Sequence, residues 1–381
     1  MGKIYTALGL MSGTSLDGVD VSIIESDGGG EYSPIFNKYF EYDSKIIEKI
    51  LKIREKISIS EDLKSYIEEI NTLEKEITLF QAEAVIETFK VSNADIDLIG
   101  FHGQTIFHNP EKKISKQLGD GKLLSQLTKK KVIYNFRQSD IDNGGQGAPL
   151  TPIFHNVLAN KIDKKFNLGF PINILNIGGI SNITTTVEEN NLGNNDKIYA
   201  YDIGPGNCLI DEWIRKNSNN KYDKDGLTAR SGKIDQLILN QATENFSLNS
   251  NYKKSLDIKD FDIFFAKGLS LQDGAATITE FSAKLIADGL KYVDEATDIS
   301  NYKWLVCGGG RKNKYLLECI KKNYNNLQLD PIEKYEMNGD FIESQAFAYL
   351  AIRSLEGMHI SFPSTTRCKH PLSGGVIVEN F

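Results

Sequence analysis

Apolar residues along this chain fall into two patterns: short continuous runs, and longer stretches in which they recur every three or four residues. Short runs bounded by Gly, Ser, Thr, Asn or Asp are typical of strands. They predict strands at residues 4–11, 21–24, 96–101, 131–134, 172–177, 183–186, 198–202 and 304–307. The helical pattern occupies residues 44 to about 90, where a coiled coil is less favoured because no clean heptad continues. Further helices are predicted at 153–159, from Asn207 to Lys216, from Lys314 and at 341–351.

Two strand–turn–strand segments of the chain have the same layout. The first runs from Ile4 to Ile24 and the second from Ile172 to Thr186, and each has a tip rich in Gly and Ser. This similarity suggests two related domains that each begin with a hairpin. The length of 381 residues agrees with this, since chains this long commonly form about two domains.

The composition is that of an ordinary soluble globular protein, with 40% hydrophobic and 25% charged residues. The net charge of −7 argues against a general surface for nucleic acid or anionic membrane, so an anionic substrate would need a local site. No stretch approaches the ~20 apolar residues of a membrane span, and the four scattered cysteines lack metal-binding spacing. A cytoplasmic protein with reduced thiols and no structural zinc is therefore expected.

The segment Asn135–Leu150 combines acidic, basic and Gly-rich residues directly after a predicted strand. A carboxylate at the end of a strand, on backbone that can approach a ligand closely, suits a general base, and the segment carries Asp140. Asp142 lies close enough in sequence to compete for this role. A surface turn rich in Asp, Asn and Gly is the alternative for such a loop taken alone.

Other loops carry residues suited to phosphate and Mg²⁺. Backbone N–H groups and hydroxyls at a hairpin tip can surround phosphate oxygens, and an adjacent Asp can hold Mg²⁺. The candidates at the first tip are Gly13, Thr14, Ser15, Leu16, Asp17, Gly18, Val19 and Asp20. The candidates in later loops are Gly178, Gly179, Asp202, Gly204, Gly206, Asn207, Gly308, Gly309 and Gly310. Asp17 and Asp202 are the metal candidates, whereas hydrogen-bonding or substrate-facing roles are favoured for His102 and His108.

Six loops taken together resemble those of the anhydro-N-acetylmuramic acid kinase family, in the family's order and essentially end to end. They are residues 11–20, 100–105, 137–150, 176–182, 202–207 and 307–310. Six loops in the same order are far more specific than any one of them.

The resemblance implies an α/β fold with two ribonuclease-H-like domains, of the actin and sugar-kinase superfamily, flanking an interdomain cleft. The N-terminal domain would comprise residues 1–135 and about 360–381, and the C-terminal domain residues 136–359. The implied enzyme uses ATP and Mg²⁺ to open 1,6-anhydro-N-acetylmuramic acid and to phosphorylate O6. Its product would be N-acetylmuramic acid 6-phosphate, an intermediate of cell-wall sugar recycling.

Motif matching also implies roles for single residues. Asp140 would activate the attacking water, and Gln104, Thr105 and Glu343 would face the sugar. The first hairpin tip would hold phosphates, and the loops at 202–207 and 308–310 would hold nucleotide. The chain departs from many relatives at Arg367, where an added cation leaves recognition of the substrate side chain open.

Two kinds of alternative remain. One is a kinase for another anhydrosugar, such as levoglucosan, or for a plain hexose. The other is a non-catalytic ATP-binding or filament protein of the same fold, which the acid-bearing loop at 137–150 disfavours. The expected partner is a small-molecule anhydrosugar, without nucleic acid or membrane, and a homodimer is expected.

Overall fold

The computed structural model describes residues 2–13, 16–186, 198–246, 254–297, 303–325 and 327–381. The contacts between residues divide the chain into two compact units. The first unit comprises Met1–Leu158 and Phe341–Phe381, and the second comprises the described residues from Ala159 to Asp340. The contacts therefore group residues 136–158 and 341–359 with the first unit, whereas the sequence-based division assigned them to the C-terminal domain. The physical reason for the second segment is the helix Ile342–Leu355, which packs on strands of the first unit.

The elements of the described chain follow the predicted alternation of strands and helices. The strands are β1 (Tyr5–Ser12), β2 (Gly18–Ser26), β3 (Tyr32–Glu41), β4 (Leu98–Asn109), β5 (Ile114–Leu118), β6 (Lys131–Tyr134), β7 (Ile172–Ile177), β8 (Ile180–Thr186), β9 (Tyr199–Pro205), β10 (Lys303–Cys307), β11 (Leu329–Pro331) and β12 (Val376–Val378). The helices are α1 (Ser44–Lys56), α2 (Asp62–Ser65), α3 (Ile67–Ser92), α4 (Gly121–Thr128), α5 (Gln138–Asp142), α6 (Pro152–Phe166), α7 (Cys208–Asn217), α8 (Leu227–Ser231), α9 (Gln236–Asn245), α10 (Leu271–Thr297), α11 (Lys314–Asn323), α12 (Ile342–Leu355) and α13 (Pro363–Thr366). None of these helices is both long enough and apolar enough to cross a membrane.

Two predictions of local structure are wrong. The segment after Phe101, predicted as a loop, continues as β4 to Asn109 because it forms an antiparallel ladder with β5. The loop that carries Asp140 contains the short helix α5, so this carboxylate is presented by helical backbone. Both differences come from pairing or packing with other segments, which a local pattern does not report.

The sheet of the first unit begins with the predicted hairpin. β1 pairs antiparallel with β2 from Tyr5↔Ser26 to Met11↔Asp20, and β2 pairs antiparallel with β3. On its other side β1 pairs parallel with β4, which pairs parallel with β6. β12 then joins β6 antiparallel at the edge. The order along the main sheet is therefore β12-β6-β4-β1-β2-β3.

The second unit repeats this arrangement. β7 pairs antiparallel with β8 and β8 with β9, while β7 pairs parallel with β10 and β10 with β11. Its order is β11-β10-β7-β8-β9, so in both units the first strand lies between an antiparallel meander and two parallel strands. Both sheets have the ribonuclease-H-like strand order, and the predicted duplication and fold class are confirmed.

Helix α12 packs on β1, β2 and β4 at two glycines of the first sheet. A Cβ on Gly9 would lie 1.9 Å from the carbonyl oxygen of Ser344, and one on Gly100 would lie 2.1 Å from that of Phe347. Only glycine lets the helix backbone approach the strands this closely. The same helix buries Ala346, Ala348 and Ala351 completely, so small residues on both elements make the contact.

We expect Gly100→Ala to lower the free energy of unfolding by about 3 kcal/mol, because an added methyl group would overlap backbone that cannot rotate away. Chemical denaturation measures the effect. Gly309→Ala is the matched control, since a Cβ there meets nothing within 4 Å. Equal stability of the two variants would contradict the close approach of α12.

Candidate active site

Asp140 is buried on α5, and both of its carboxylate oxygens accept hydrogen bonds. Its exposed fraction is 1%. Oδ2 accepts the backbone N–H of Gly147 at 2.6 Å, and Oδ1 accepts the hydroxyl of Thr366 at 2.5 Å. A buried carboxylate without donors is costly, so these two contacts offset the removal of Asp140 from water.

The Gly-rich turn after α5 wraps around this carboxylate. The backbone N–H of Gly145 donates to the carbonyl oxygen of Asp140 at 2.9 Å. A Cβ on Gly145 would lie 2.1 Å from Asp140 Oδ2, and Gly147 has a φ of 69°. The sequence suggested that this Gly-rich backbone could approach a ligand closely. In the structure, the backbone lies close to the candidate base itself.

Arg137 ties the same turn to strand β4. Its Nη1 donates to the carbonyl oxygen of Gly147 at 2.8 Å, and its Nη2 donates to His102 Nε2 at 2.9 Å. The imidazole proton therefore lies on Nδ1, which is 2.7 Å from the carbonyl oxygen of Gly103. Burial and the positive charge of Arg137 lower the pKa of His102 to about 3, so this ring is a neutral acceptor.

A cavity of about 300 Å³ lies in the first unit beside α5. Most of the residues that line it are polar. They are Glu74, Phe101, His102, Ser115, Lys116, Gln117, Gly119, Asp120, Tyr134, Asn135 and Gln138. Gln138 precedes Asp140 by two residues, and the volume is at the lower end of the range for small-molecule sites. The amide, hydroxyl and charged groups of the lining suit a ligand with many hydroxyls.

Gln104 lies inside the protein and holds the first hairpin tip. Its exposed fraction is 0%. Its Oε1 accepts the hydroxyl of Ser12 at 2.6 Å, and its Nε2 donates to the carbonyl oxygen of Gly13 at 3.0 Å. In this conformation the side chain therefore positions the loop predicted to hold phosphates. Thr14 and Ser15 of that loop lie outside the described residues.

Of the remaining residues predicted at the first hairpin tip, some are buried in the core and others are exposed or half-buried. Val19 is completely buried in the hydrophobic core, and a Cβ on Gly18 would lie 2.2 Å from the carbonyl oxygen of Phe40. Leu16 is buried with a φ of 61°, whereas Asp17 is exposed and Asp20 is half-buried in β2. The side chains of Val19 and Leu16 are thus packing residues, and the carboxylate of Asp17 is the accessible group.

Two further residues predicted to face the sugar also lie in the first unit. Thr105 is half-buried on β4, and its hydroxyl accepts Gln117 Nε2 at 3.3 Å. Gln117 lines the cavity, so Thr105 is linked to it through one hydrogen bond. Glu343 is half-buried in the first turn of α12.

In the second unit, two predicted nucleotide loops bind each other. The N–H of Gly206 donates to the carbonyl oxygen of Gly179 at 2.8 Å, and the N–H of Asn207 donates to that of Gly178 at 2.8 Å. A Cβ on Gly206 would lie 2.2 Å from the carbonyl oxygen of Gly178, so the approach requires glycine. These N–H groups at the start of α7 are satisfied by protein in this conformation. Gly204 lies within β9, with a φ of 156°.

In the third loop of the second unit, Gly308 and Gly310 are closely packed, whereas Gly309 has open space beside its Cα. A Cβ on Gly308 would lie 2.4 Å from Asn176 Oδ1, and one on Gly310 would lie 2.2 Å from Ile177 Cγ2. A Cβ on Gly309, by contrast, would meet nothing within 4 Å. Arg311 Nη1 anchors the loop by donating to the carbonyl oxygen of Gly308 at 2.8 Å. The backbone at Gly309 can therefore accept a ligand against it.

The two metal candidates differ in environment. Asp202 has an exposed fraction of 8%, and its Oδ2 accepts the N–H of Leu256 at 2.9 Å. Asp17 is exposed at the first tip. Among the described residues, no group of three or more His, Cys, Asp and Glu side chains could hold a metal ion. Each candidate would thus contribute a single carboxylate.

Sequence reasoning missed Thr366, the hydroxyl donor to Asp140. The hydroxyl at the last residue of α13 reaches a carboxylate 226 residues earlier in the chain. The sequence drew attention only to the neighbouring Arg367, whose Nη1 donates to the carbonyl oxygen of Ser364 at 2.7 Å. No spacing in the sequence connects the two segments.

Known proteins match this chain along its whole length. The family model described as anhydro-N-acetylmuramic acid kinase matches residues 5–380. The chain is 53% identical to the anhydro-N-acetylmuramic acid kinase of Pelagibacter ubique over 385 residues, covering 100% of each chain. It is 38% identical to that of Methylobacterium nodulans over 387 residues, covering 97% of this chain and 98% of the relative.

Similarity to solved structures is much weaker. The activator of the 2-hydroxyisocaproyl-CoA dehydratase from Clostridium difficile with bound ADPNP is 9% identical, with a TM-score of 0.43. The match covers 92% of this chain and 96% of that chain. A likeness at this level does not bear on what the site does.

We expect the folded protein to lose stability as the pH falls below 6.5, the ordinary value for histidine, because the pKa of His102 is lowered to about 3. Between these two pH values the unfolded chain binds a proton on this ring and the folded protein does not. The free energy of unfolding therefore falls by up to about 1.4 kcal/mol for each unit that the pH is lowered. Burial likewise lowers the pKa of His155 to about 3 and that of His108 to about 4.

Urea unfolding between about pH 7 and pH 5 measures this dependence. His102→Gln, which retains an acceptor for Arg137, should reduce proton uptake on unfolding by about one. His370→Gln replaces an exposed histidine and is the matched control. An unaltered pH dependence in His102→Gln would contradict the neutral buried imidazole.

Proposed function

Because the chain belongs to the anhydro-N-acetylmuramic acid kinase family, we propose that it uses ATP to open the 1,6-anhydro ring of anhydro-N-acetylmuramic acid and to phosphorylate O6, with Asp140 as the general base. The product is N-acetylmuramic acid 6-phosphate. The single observation that supports the assignment of the base is the buried carboxylate of Asp140, held by two donors in the segment that carries the family motif. The activity itself is that of an ATP-dependent sugar kinase.

The proposed reaction requires a proton acceptor next to the anomeric carbon. Water attacks C1, the bond from C1 to O6 breaks, and O6 takes the γ-phosphoryl group. Asp140 accepts the proton of the attacking water, since a positioned carboxylate can do this while it is ionised. Asp142 is a poorer base for this step because it is exposed and accepts Gln138 Nε2 at 2.7 Å.

The polar cavity next to α5 supports a sugar substrate. It offers amide donors and acceptors from Gln117, Asn135 and Gln138, and a cation from Lys116. Several such groups around one ring recognise hydroxyls by direction as well as by distance. We assign sugar recognition to this cavity together with Thr105 and Glu343, while Gln104 acts by holding the first hairpin tip.

The residues of the second unit fit a nucleotide. The open backbone at Gly309 can lie against a flat ring or a phosphate. Ser181 lies beside the loops of Gly179 and Gly206, which are hydrogen-bonded to each other. Its buried hydroxyl has no hydrogen-bond partner among the described residues. A hydroxyl placed so near the Gly206 backbone can donate to a phosphate oxygen. We therefore assign the loops at 178–182, 202–207 and 308–310 to ATP.

Asp17 and Asp202 fit Mg²⁺, because this ion commonly uses one or two carboxylates, water and substrate phosphates, without a cage of protein ligands. Bound Mg²⁺ would neutralise charge on the phosphates during transfer. Each of these carboxylates could orient such an ion, directly or through water.

Three finer features remain proposals that rest on family membership. The enzyme acts in the cytoplasm, its product enters cell-wall sugar recycling, and the protein forms a homodimer. Each follows from family membership and not from a contact within the described residues.

Asp140→Asn should retain ATP binding and lose turnover by ~10²–10⁴-fold, because only the base is removed. Steady-state assays and titration with a non-hydrolysable ATP analogue measure the two properties. Asp142→Asn, the matched control on the same helix, should be much milder. A reversal of the two effects would show that the base is assigned to the wrong carboxylate.

The position of the entering oxygen tests the reaction itself. Product made in ¹⁸O-labelled water should carry the label at C1 and not in the phosphate ester bridge, because water attacks C1 and O6 already belongs to the sugar. A hexokinase-type reaction introduces no solvent oxygen. Mass spectrometry of the product distinguishes the two, and ring opening without nucleotide would also refute the coupled mechanism.

A further inference from the structure

We propose that Thr366 is a positioning residue for the reaction and that its hydroxyl sets the orientation of the Asp140 carboxylate. This inference rests on the proposed role of Asp140 as the base. It makes the C-terminal segment, which the sequence left as an irregular tail, part of the active site.

The hydroxyl of Thr366 has one proton and two acceptors within reach. Asp140 Oδ1 lies at 2.5 Å, and the carbonyl oxygen of Phe362 lies at 3.4 Å. The shorter distance and the negative charge both favour the carboxylate, since hydrogen bonds to ionised acceptors are shorter and stronger. The proton of Thr366 is therefore donated to Asp140.

The same residue also binds the turn that supplies the second donor. The carbonyl oxygen of Thr366 accepts the N–H of Gln146 at 2.7 Å. The next residue, Gly147, donates its N–H to Asp140 Oδ2. Asp140, the Gly-rich turn and Thr366 thus form a closed ring of hydrogen bonds in which each oxygen of the carboxylate accepts a hydrogen bond.

Thr366 is itself held in place. Its exposed fraction is 0%, and its N–H donates to the carbonyl oxygen of Phe362 at 2.9 Å. Burial, the nearby charge of Asp140 and a hydrogen bond to that carboxylate raise the pKa of the Cys368 thiol, while a hydrogen bond with Thr366 lowers it less, so this neighbour stays protonated. Rotation of the Thr366 hydroxyl away from Asp140 would break the 2.5 Å hydrogen bond to Oδ1 of the buried carboxylate.

Carboxylate orientation matters because only lone pairs that point at the attacking water can accept its proton. With a donor on each oxygen, the plane of the carboxylate is defined, and the remaining lone pairs have fixed directions. Loss of one donor frees the group to turn about its Cβ–Cγ bond. A misplaced base costs rate in the bound complex without altering the binding of a separate ligand.

The test compares Thr366→Ser, which keeps the hydroxyl, with Thr366→Ala, which removes it. The Ala variant should lower kcat roughly 10-fold to 100-fold with an unchanged KM for ATP. The Ser variant should recover most of the rate. Thr88→Val is the control for loss of a buried hydroxyl elsewhere, since its Oγ1 donates to the carbonyl oxygen of Ala84 at 2.8 Å within α3. Thermal unfolding of each variant shows whether it is folded.

A double variant separates positioning from a merely structural role. If Thr366 acts through Asp140, adding Thr366→Ala to Asp140→Asn should not lower turnover further, because no base remains to be oriented. An equal additional loss in both backgrounds would overturn the proposal. So would equal kcat in the Ser and Ala variants. If Asp140→Asn alone kept full turnover, the base assignment would fail and positioning with it, whereas an inactive Asp140→Asn with a fully active Thr366→Ala would refute positioning only.

Discussion

A carboxylate taken out of water needs hydrogen-bond donors, and in the first unit this requirement is met by segments far apart in sequence. Asp140 is almost completely buried, and its two oxygens take a backbone N–H from Gly147 and a hydroxyl from Thr366. An unpaired ion in this place would cost several kcal/mol, so the turn and the tail are stable only when they are docked together. The chemistry of the site and the closure of the first unit thus depend on the same contacts.

Glycines make the close contacts on which both units rely. In the first unit, Gly145 lets the turn lie against Asp140, and Gly100 lets a helix lie on the sheet. In the second unit, Gly206 lets the start of α7 donate its backbone N–H groups to the neighbouring hairpin tip. These glycines are needed because any side chain would overlap with backbone or with a catalytic group. At these positions the Gly-rich loops are closely packed, whereas a Cβ on Gly309 would meet nothing within 4 Å.

Among the described residues of the first unit, Asp140 is the one buried carboxylate, and the buried histidines are neutral. His102 and His155 are buried and uncharged at neutral pH, since burial lowers the pKa of each to about 3. Arg137 is charged, and its guanidinium donates hydrogen bonds to His102 and to the carbonyl oxygen of Gly147. Around Asp140 this leaves a region in which proton transfer to one defined group is favoured.

The sequence alone determined eight of the twelve described strands, the duplicated hairpins, the family and the candidate base, because each of these appears as a pattern of residues along the chain. Apolar runs predicted β1 and β7, repeated layout predicted two similar sheets, and motif order predicted Asp140. Tertiary structure decided the rest. The hydroxyl of Thr366 meets Asp140 across 226 residues, Gln104 turns inward to hold the first hairpin tip, and β4 extends because β5 pairs with it. Such contacts depend on which segments the fold brings side by side, and a period or a spacing within one segment carries no information about a donor supplied by another.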